Sequence, residues 1–333
     1  FALGRDVAGA PVYANLSKMP HLLVAGATGA GKSVAVHSMI TSFLYRNSPE
    51  LLRFLIIDPK RVELAVYSGI PHLLTPPITD PKKTIQALRW AVKEMEKRYE
   101  VLSAAGVRDI MRYNEHAARK AKGDAELMPY LVIIIDELAD LMMSYPREME
   151  GSVIRLAQMA RAVGIHLVIA TQRPSVEVIT GLIKANITSR IAFQVASQID
   201  SRTILDAAGA EKLLGNGDML FLAGDTAKPR RIQGGFVSEG EVQKIVKFIT
   251  TENEAIPDET FESAMFDPKG ANASLADALD GAADDFDAEG EDPLYEEARE
   301  TVIQAEKASA SYLQRRLKIG YARAARLLDI LEE

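Results

Sequence analysis

The chain alternates short, uninterrupted apolar runs with longer segments in which apolar residues recur at helical spacing. Uninterrupted apolar runs bounded by polar or turn residues are typical of buried strands. Such runs occupy residues 21–25, 51–58, 131–135, 167–170, 191–195 and 219–222, with Arg53 and Gln194 as single polar residues inside two of them. The longest helical pattern, at residues 81–105, predicts an amphipathic helix. Buried strands that alternate with helices predict an α/β fold with a central, mostly parallel sheet covered on both faces.

Changes in composition divide the chain into three predicted parts. Residues 1–255 form the α/β core, which starts with an extended segment at 1–20 and ends with a predicted edge strand at 230–237. Residues 256–291 are rich in Ala, Gly and Asp and predict an acidic, flexible linker. Residues 292–333 regain helical periodicity and predict a small helical domain.

The net charge of −7 has one main source. Ten carboxylates and no Lys or Arg lie between residues 271 and 298. Without these ten, 36 of the 46 acidic residues remain, against 39 basic residues. The remainder is slightly basic, which allows a polyanionic partner.

The absence of Cys excludes disulfides and thiolate metal sites and suits the cytosol. There is no apolar run long enough to span a membrane, and a start at Phe1 suggests a fragment of a longer protein.

One motif carries the first candidate chemistry. A complete phosphate-binding loop follows the strand at 21–25 and consists of Gly26, Ala27, Thr28, Gly29, Ala30, Gly31, Lys32 and Ser33. Its glycines allow successive backbone N–H groups to point at phosphate oxygens. Lys32 would reach the β- and γ-phosphates, Ser33 would hold Mg²⁺, and the helix that begins at Gly31 directs its positive end toward the same anion. The motif predicts binding of a nucleoside triphosphate.

An acidic pair follows the apolar run at 131–135. Asp136 ends this predicted strand and is expected to hold Mg²⁺ together with Ser33. Glu137 comes next and is placed to polarise an attacking water. A helix cap is the alternative role for Asp136. The adjacent glutamate favours a hydrolase over a kinase.

A polar pair, Thr171 and Gln172, follows the next strand, at 167–170. Ligands of open α/β sheets lie at the carboxyl ends of strands, so Gln172 is expected to contact the γ-phosphate or its water. A plain turn before Pro174 is the alternative.

Five further segments complete a pattern that resembles the bacterial FtsK/SpoIIIE family of DNA translocases. They follow the phosphate-binding loop in order: 58–60 (Asp-Pro-Lys), 136–142 (Asp-Glu-Leu-Ala-Asp-Leu-Met), 170–175 (Ala-Thr-Gln-Arg-Pro-Ser), 181–186 (Gly-Leu-Ile-Lys-Ala-Asn) and 200–206 (Asp-Ser-Arg-Thr-Ile-Leu-Asp). The resemblance covers nearly the whole chain. One departure is the segment 112–128, which is shorter than is usual in the family and is expected to form a helix end and a mobile loop.

The resemblance implies a RecA-like P-loop NTPase core and a small winged-helix-type C-terminal domain, named γ in this family. It implies an ATP-driven translocase that forms a homo-hexameric ring around double-stranded DNA, uses ATP and Mg²⁺, and acts in chromosome segregation and cell division. It also implies a site-specific recombinase as a partner of the C-terminal domain. The fragment is expected in the cytoplasm without membrane contact, and an upstream domain is expected to anchor the full-length protein in the inner membrane.

Two other functions stay open. A related ring ATPase could export protein, and DNA-stimulated ATPase activity would distinguish that function from DNA translocation. A non-catalytic DNA-binding scaffold could use its nucleotide site only to control assembly, although Glu137 favours hydrolysis. A helicase fits the family less well.

The resemblance assigns Lys32, Asp136, Glu137 and Gln172 to the catalytic site of one subunit. It makes Arg161 similar in position to the arginine that such rings donate to the γ-phosphate of the neighbouring subunit. A solvated arginine near a helix end is the alternative role of Arg161.

The resemblance also assigns contacts with the DNA backbone. Arg173 and the segment 197–202, with Gln198 and Arg202, resemble the two pore loops of the family. Gln198 stands where relatives often carry Lys, and Arg202 could instead pair with a neighbouring carboxylate. Lys184 is equally ambiguous.

In the C-terminal segment, a helix-turn-helix pattern carries a basic second helix, which is typical of a major-groove reader. The candidate DNA contacts are Arg315, Arg316, Tyr321, Arg323 and Arg326. A generic three-helix interaction module is the alternative. Two departures from the family pattern are Ala322, where relatives carry a polar residue, and the end of the sequence at Glu333, before any strand pair that could form a wing.

Overall fold

The computed structural model describes residues 1–120, 127–226 and 228–252, together with Arg299. The chain divides into two units, Phe1–Phe266 and Asp267–Glu333, and the fold described below belongs to the first. Except for Arg299, the predicted linker and C-terminal domain lie outside the described residues.

The described elements alternate between strands and helices through most of the first unit. In chain order they are β1 (Ala2–Asp6), β2 (Pro11–Tyr13), β3 (His21–Ala25), α1 (Lys32–Leu44), β4 (Leu52–Ile57), α2 (Pro81–Ala104), α3 (Ile110–Lys120), β5 (Tyr130–Ile135), α4 (Leu138–Ser144), α5 (Pro146–Met159), β6 (Ile165–Thr171), α6 (Gly181–Asn186), β7 (Ser189–Phe193), α7 (Gln198–Leu205), β8 (Asp218–Leu222), β9 (Arg230–Gly234) and α8 (Glu239–Glu252). None of the described helices is both long and apolar enough to cross a membrane.

Within the described residues, the strands form one sheet in the order β2-β1-β9-β8-β7-β3-β6-β5-β4. The five strands from β7 to β4 are parallel, and the other four pair antiparallel. This arrangement confirms the predicted α/β fold and its parallel centre. The extended segment at 1–20 forms the hairpin β1–β2, which pairs with β9. The predicted edge position of the strand at 230–237 is therefore wrong, because β2 lies at that edge.

Both faces of the parallel strands are covered, as uninterrupted apolar runs require. Along β3, Leu23 and Ala25 belong to a core with residues of α2, α4, α5, α6 and α7. Leu22 and Val24 point to the other face and belong to a second core with residues of α1 and α8. The alternation of side chains along a strand produces this division.

The long predicted helix is confirmed as α2. It begins after Asp80, whose side chain accepts a hydrogen bond from the backbone N–H of Lys83 at 2.9 Å, and Pro81 occupies the first turn, where no N–H is needed. The helix part of the segment predicted at 112–128 is present as α3, and residues 121–126 lie outside the described part.

Two buried histidines lie at the amino ends of neighbouring parallel strands. His21 begins β3 and accepts a hydrogen bond from the backbone N–H of Leu167 at its Nδ1 atom, at 3.1 Å. His166 lies in β6 and pairs through Nδ1 with the carbonyl oxygen of Pro20 at 2.9 Å, so this nitrogen is the donor. Burial lowers the pKa of His21 to about 3 and that of His166 to about 4.

These shifts make the stability of the fold depend on pH. Between the ordinary histidine value of 6.5 and about 4, the unfolded chain binds protons that the folded chain does not. The free energy of unfolding should therefore decrease as the pH falls through this range. His166→Asn, which keeps a donor for the Pro20 carbonyl, should make the decrease smaller in urea unfolding at a series of pH values.

The exposed His116 provides the matched control, because His116→Asn makes the same chemical change at a side chain that is not buried. An equally steep decrease in the His166→Asn variant and the wild type would show that His166 titrates normally in the folded chain.

Candidate nucleotide site and nucleic-acid contacts

The phosphate-binding loop lies where the parallel strands β3, β6 and β7 end. The backbone N–H of Gly26 donates to the carbonyl oxygen of Thr171 at 3.3 Å, and that of Ala27 donates to the carbonyl oxygen of Gln194 at 2.8 Å. These bonds anchor the start of the loop to the strands on either side of β3. The loop is thereby placed at the carboxyl edge of the sheet, where α/β folds bind their ligands.

Position 31 accommodates only glycine in this arrangement. Its φ of 116° lies in a region that L side chains rarely adopt, and a Cβ atom would approach the backbone nitrogen of Gly217 to 2.7 Å. Gly217 donates a hydrogen bond to the carbonyl oxygen of Ala30 at 2.9 Å. The turn before β8 therefore supports the loop from the side, a contact that the motif alone does not predict.

Lys32 and Asp136 form a buried ion pair. The Nζ atom of Lys32 lies 2.8 Å from Oδ1 of Asp136 and 2.9 Å from its carbonyl oxygen. Lys32 is 3% exposed and Asp136 is 1% exposed. Burial raises the pKa of Asp136, and Lys32 opposes this effect. The structure thus brings together two residues that lie 104 positions apart and that the sequence assigned to one site.

Glu137 is 1% exposed and is held by three residues. The hydroxyl of Thr171 donates to its Oε1 atom at 2.6 Å, and the backbone N–H of Gln172 lies 3.1 Å from both carboxylate oxygens. The Nζ atom of Lys60 lies 3.2 Å from Oε2. Sequence reasoning placed Lys60 in a family motif but gave it no role, because it lies 77 positions from Glu137.

Gln172 joins the phosphate-binding loop to this carboxylate. The hydroxyl of Thr28 donates to Oε1 of Gln172 at 3.0 Å, while the backbone of Gln172 binds Glu137. Gln172 therefore lies between the loop that would hold phosphate and the residue that would polarise water.

The donor set fits a magnesium nucleotide. The Ser33 hydroxyl and the Asp136 carboxylate are hard oxygen ligands, and Mg²⁺ usually takes one or two protein ligands together with substrate phosphates and water. Among the described residues, no group of three or more His, Asp or Glu side chains could hold a metal ion. A metal at this site would therefore depend on the phosphates for its remaining ligands.

Arg161 lies at the opposite edge of the sheet. It is exposed and precedes β6, whose seven residues extend from Ile165 to Thr171 at the nucleotide edge. A strand of this length spans about 20 Å, which exceeds the reach of an arginine side chain. Arg161 is therefore separated from the phosphate-binding loop of its own chain.

Two of the predicted DNA contacts are exposed cations beside the carboxyl edge. Arg173 follows β6, and its guanidinium lies 3.5 Å from the sulfur of Met143. Arg202 is exposed on α7, which also begins with the exposed Gln198. The carboxylate of Asp200 accepts hydrogen bonds from Ser197, and neither Asp200 nor Asp206 forms an ion pair with Arg202 within the described residues.

Lys184 is already engaged. Its Nζ atom lies 2.8 Å from Oδ1 of Asp206, and Oδ2 of the same carboxylate lies 2.6 Å from the guanidinium of Arg190. Arg190 is 7% exposed and also donates to the carbonyl oxygens of Lys184, Ile187 and Ile204. This network joins the end of α6 to the end of α7, and it uses the charge of Lys184.

The remaining candidate DNA contacts lie outside the described residues. They are Arg315, Arg316, Tyr321, Arg323 and Arg326.

Family models match both ends of the chain. The model described as the FtsK/SpoIIIE family matches residues 1–176, and the FtsK gamma domain matches residues 289–333. The chain is 54% identical to the DNA translocase FtsK of Clostridium tetani over 333 residues and 53% identical to the DNA translocase SpoIIIE of Bacillus subtilis over 340 residues. These alignments cover 100% and 99% of this chain, but only 43% and 40% of the relatives.

Solved structures share the fold of the first unit. The pCW3 conjugation coupling protein TcpA, in a monomer form with ATPγS, is 29% identical with a TM-score of 0.64, over 74% of this chain and 70% of that one. The cytoplasmic domain of the type VII secretion ATPase EccC from Thermomonospora curvata has a TM-score of 0.65 at 23% identity, over 74% of this chain and 30% of that one, and shows the fold alone. With a family model over more than half of its length, the chain belongs to the FtsK/SpoIIIE family.

Proposed function

We propose that this chain is the motor part of an ATP-dependent translocase of double-stranded DNA, acting in bacterial chromosome segregation and cell division. The observation that carries the proposal is a buried glutamate, Glu137, beside the phosphate-binding loop and held by the same strand end that carries the exposed Arg173. The names of the relatives, DNA translocase FtsK and SpoIIIE, support DNA as the substrate. The full protein is proposed to form a homo-hexameric ring around the duplex.

In the proposed reaction, the residues of one subunit bind and cleave ATP. The loop from Gly26 to Ser33 would hold the phosphates, with Lys32 on the β- and γ-phosphates and with Ser33 and Asp136 holding Mg²⁺. Such a metal neutralises charge on the transferred phosphoryl group. Glu137 would accept a proton from water as the water oxygen attacks the γ-phosphorus, while the bond to the bridging oxygen breaks and ADP leaves. Gln172 would position the water or the γ-phosphate.

A short chain of hydrogen bonds would couple this reaction to DNA. The backbone N–H of Arg173 donates to the Thr171 hydroxyl at 3.1 Å, and that hydroxyl donates to Glu137 at 2.6 Å. A displacement of Arg173 by a DNA phosphate would therefore act on the hydrolytic carboxylate through one side chain. Contacts of Arg173 and Arg202 with phosphates would be sensitive to salt and independent of sequence, as a processive motor needs.

The protein-exporting alternative rests only on the fold shared with the secretion ATPase EccC. At 23% identity this similarity supports the fold and not the substrate.

The decisive experiment is the ATPase rate of the purified chain with and without duplex DNA. Stimulation by duplex DNA is expected, and an equal rate in both conditions would contradict the proposed DNA translocase.

Replacement of Glu137 separates binding from hydrolysis. Glu137→Gln should still bind ATP but should turn over at least about 100-fold more slowly, because the general base is lost. Nucleotide binding by calorimetry and phosphate release measure the two effects. The exposed Glu148 offers a control, since Glu148→Gln should hydrolyse ATP as the wild type does. Near-normal turnover of Glu137→Gln would refute the role of Glu137 as the base.

Arg161 is proposed to act on the nucleotide of a neighbouring subunit, because the length of β6 separates it from its own. Arg161→Ala should bind ATP normally and lose turnover by roughly a thousandfold. A mixture of Arg161→Ala and Lys32→Ala subunits should regain activity, because some subunit interfaces then combine an intact Lys32 with an intact Arg161.

The control for Arg161 is Arg108→Ala, a change at an exposed arginine that should not affect turnover. No recovery in mixed assemblies would contradict action between subunits.

The C-terminal segment is proposed to read DNA sequence. The match of residues 289–333 to the FtsK gamma domain supports this role, as do the arginines in this segment, Arg315, Arg316, Arg323 and Arg326. A bidentate arginine–guanine contact contributes about 1–3 kcal/mol of discrimination. Arg323→Ala should therefore reduce the preference for G-rich over scrambled duplex in a binding titration. An unchanged preference would show that Arg323 does not contribute to sequence recognition.

A recombinase partner and an upstream membrane anchor remain predictions from the family resemblance.

A further inference from the structure

Lys60 belongs to a tightly organised loop that follows β4. Asp58, which is fully buried, accepts a hydrogen bond from the backbone N–H of Lys60 at 3.2 Å and another from that of Leu64 at 3.0 Å. These bonds fix the backbone of the loop beside the nucleotide edge. The backbone of Lys60 is thus held in place, whereas its side chain is 37% exposed and can change position.

The carboxylate of Glu137 is buried and is contacted by three donors. The Thr171 hydroxyl donates to Oε1, the Lys60 ammonium lies on Oε2, and the backbone N–H of Gln172 is shared between the two oxygens. A water molecule that is to lose its proton to Oε2 therefore competes with Lys60 for that oxygen.

Lys60 is the partner that can be replaced. Thr171 is fully buried, and the N–H of Gln172 is fixed by the backbone at the end of β6. Lys60 makes the longest of the contacts to Glu137 and has the exposed side chain. Asp140 offers it a second carboxylate, with Oδ2 at 3.9 Å from the ammonium and 29% of its side chain exposed.

We propose that Lys60 restrains ATP hydrolysis by occupying Oε2 of Glu137, and that it moves to Asp140 when the site becomes active. The exchange keeps one ion pair for the ammonium, and the Thr171 hydroxyl and the Gln172 N–H continue to hold the Glu137 carboxylate. The vacated position on Oε2 is then available to the attacking water. Lys60 is a positioning residue in this scheme, because it acts through Glu137 and not on the substrate.

The coupling to DNA follows from the same contacts, and this part rests on the proposed function. Arg173 binds Thr171, and Thr171 binds Oε1 of Glu137. A shift of Arg173 on binding DNA would rotate the carboxylate and weaken the contact with Lys60 on the other oxygen. The ion pair with Lys60 would therefore keep hydrolysis slow until DNA is bound.

The test compares kcat and KM for ATP in the presence and absence of duplex DNA. Lys60→Met keeps the aliphatic stem and removes the charge, so it should raise kcat without DNA several-fold and leave KM unchanged. The ratio of the DNA-stimulated to the DNA-free rate should fall accordingly. Asp140→Asn removes the second carboxylate and should act in the opposite direction, by lowering the DNA-stimulated rate without raising the DNA-free rate.

Lys18→Met is the matched control, since Lys18 is exposed and Lys18→Met should keep the wild-type ratio. An active, DNA-stimulated wild type together with an unchanged or lower DNA-free kcat in Lys60→Met would overturn this inference and leave the proposed function in place. A wild type that hydrolyses no ATP, or that ignores duplex DNA, would remove the proposed function and this inference with it.

Discussion

The buried ion pair between Lys32 and Asp136 is the interaction on which the candidate site depends. Removal of one partner would leave an uncompensated charge in the interior, at a cost of about 3–5 kcal/mol. The pair can form only if β3 and β5 end at the same edge, with β6 between them. The parallel order of the strands is therefore a condition for the charge pairing, and the apolar cores on both faces maintain that order.

The two edges of the parallel strands have opposite electrostatic character. At the carboxyl edge, the buried carboxylates of Asp136 and Glu137 lie in direct contact with the ammonium groups of Lys32 and Lys60. At the amino edge, His21 and His166 are buried without a carboxylate, and burial keeps them neutral. The carboxyl edge of the sheet therefore holds the candidate nucleotide site, and the amino edge holds two buried histidines that make the stability of the fold depend on pH.

Local patterns were sufficient to predict the parallel strands, α2, the phosphate-binding loop and the assignment of Lys32 and Asp136 to one site, although not their direct ion pair. Each of these depends on a continuous apolar run, a helical period or a motif with a fixed neighbour. The antiparallel pairing of β1 with β9 was not predicted, because short strands of mixed polarity do not specify a distant partner. The contacts of Lys60 with Glu137 and of Gly31 with Gly217 were also missed, since they join segments far apart in sequence.

The contact between Gly31 and Gly217 has a consequence for protein engineering. A side chain at position 31 would collide with the backbone of Gly217, so the path of the turn before β8 fixes the residue in the phosphate-binding loop. A fluorophore or affinity tag inserted in the turn at 215–217 would press on the phosphate-binding loop and disturb the nucleotide site. The hairpin turn at Gly9 is exposed and has open space around it, which makes it a suitable attachment point for a probe that leaves the nucleotide site undisturbed.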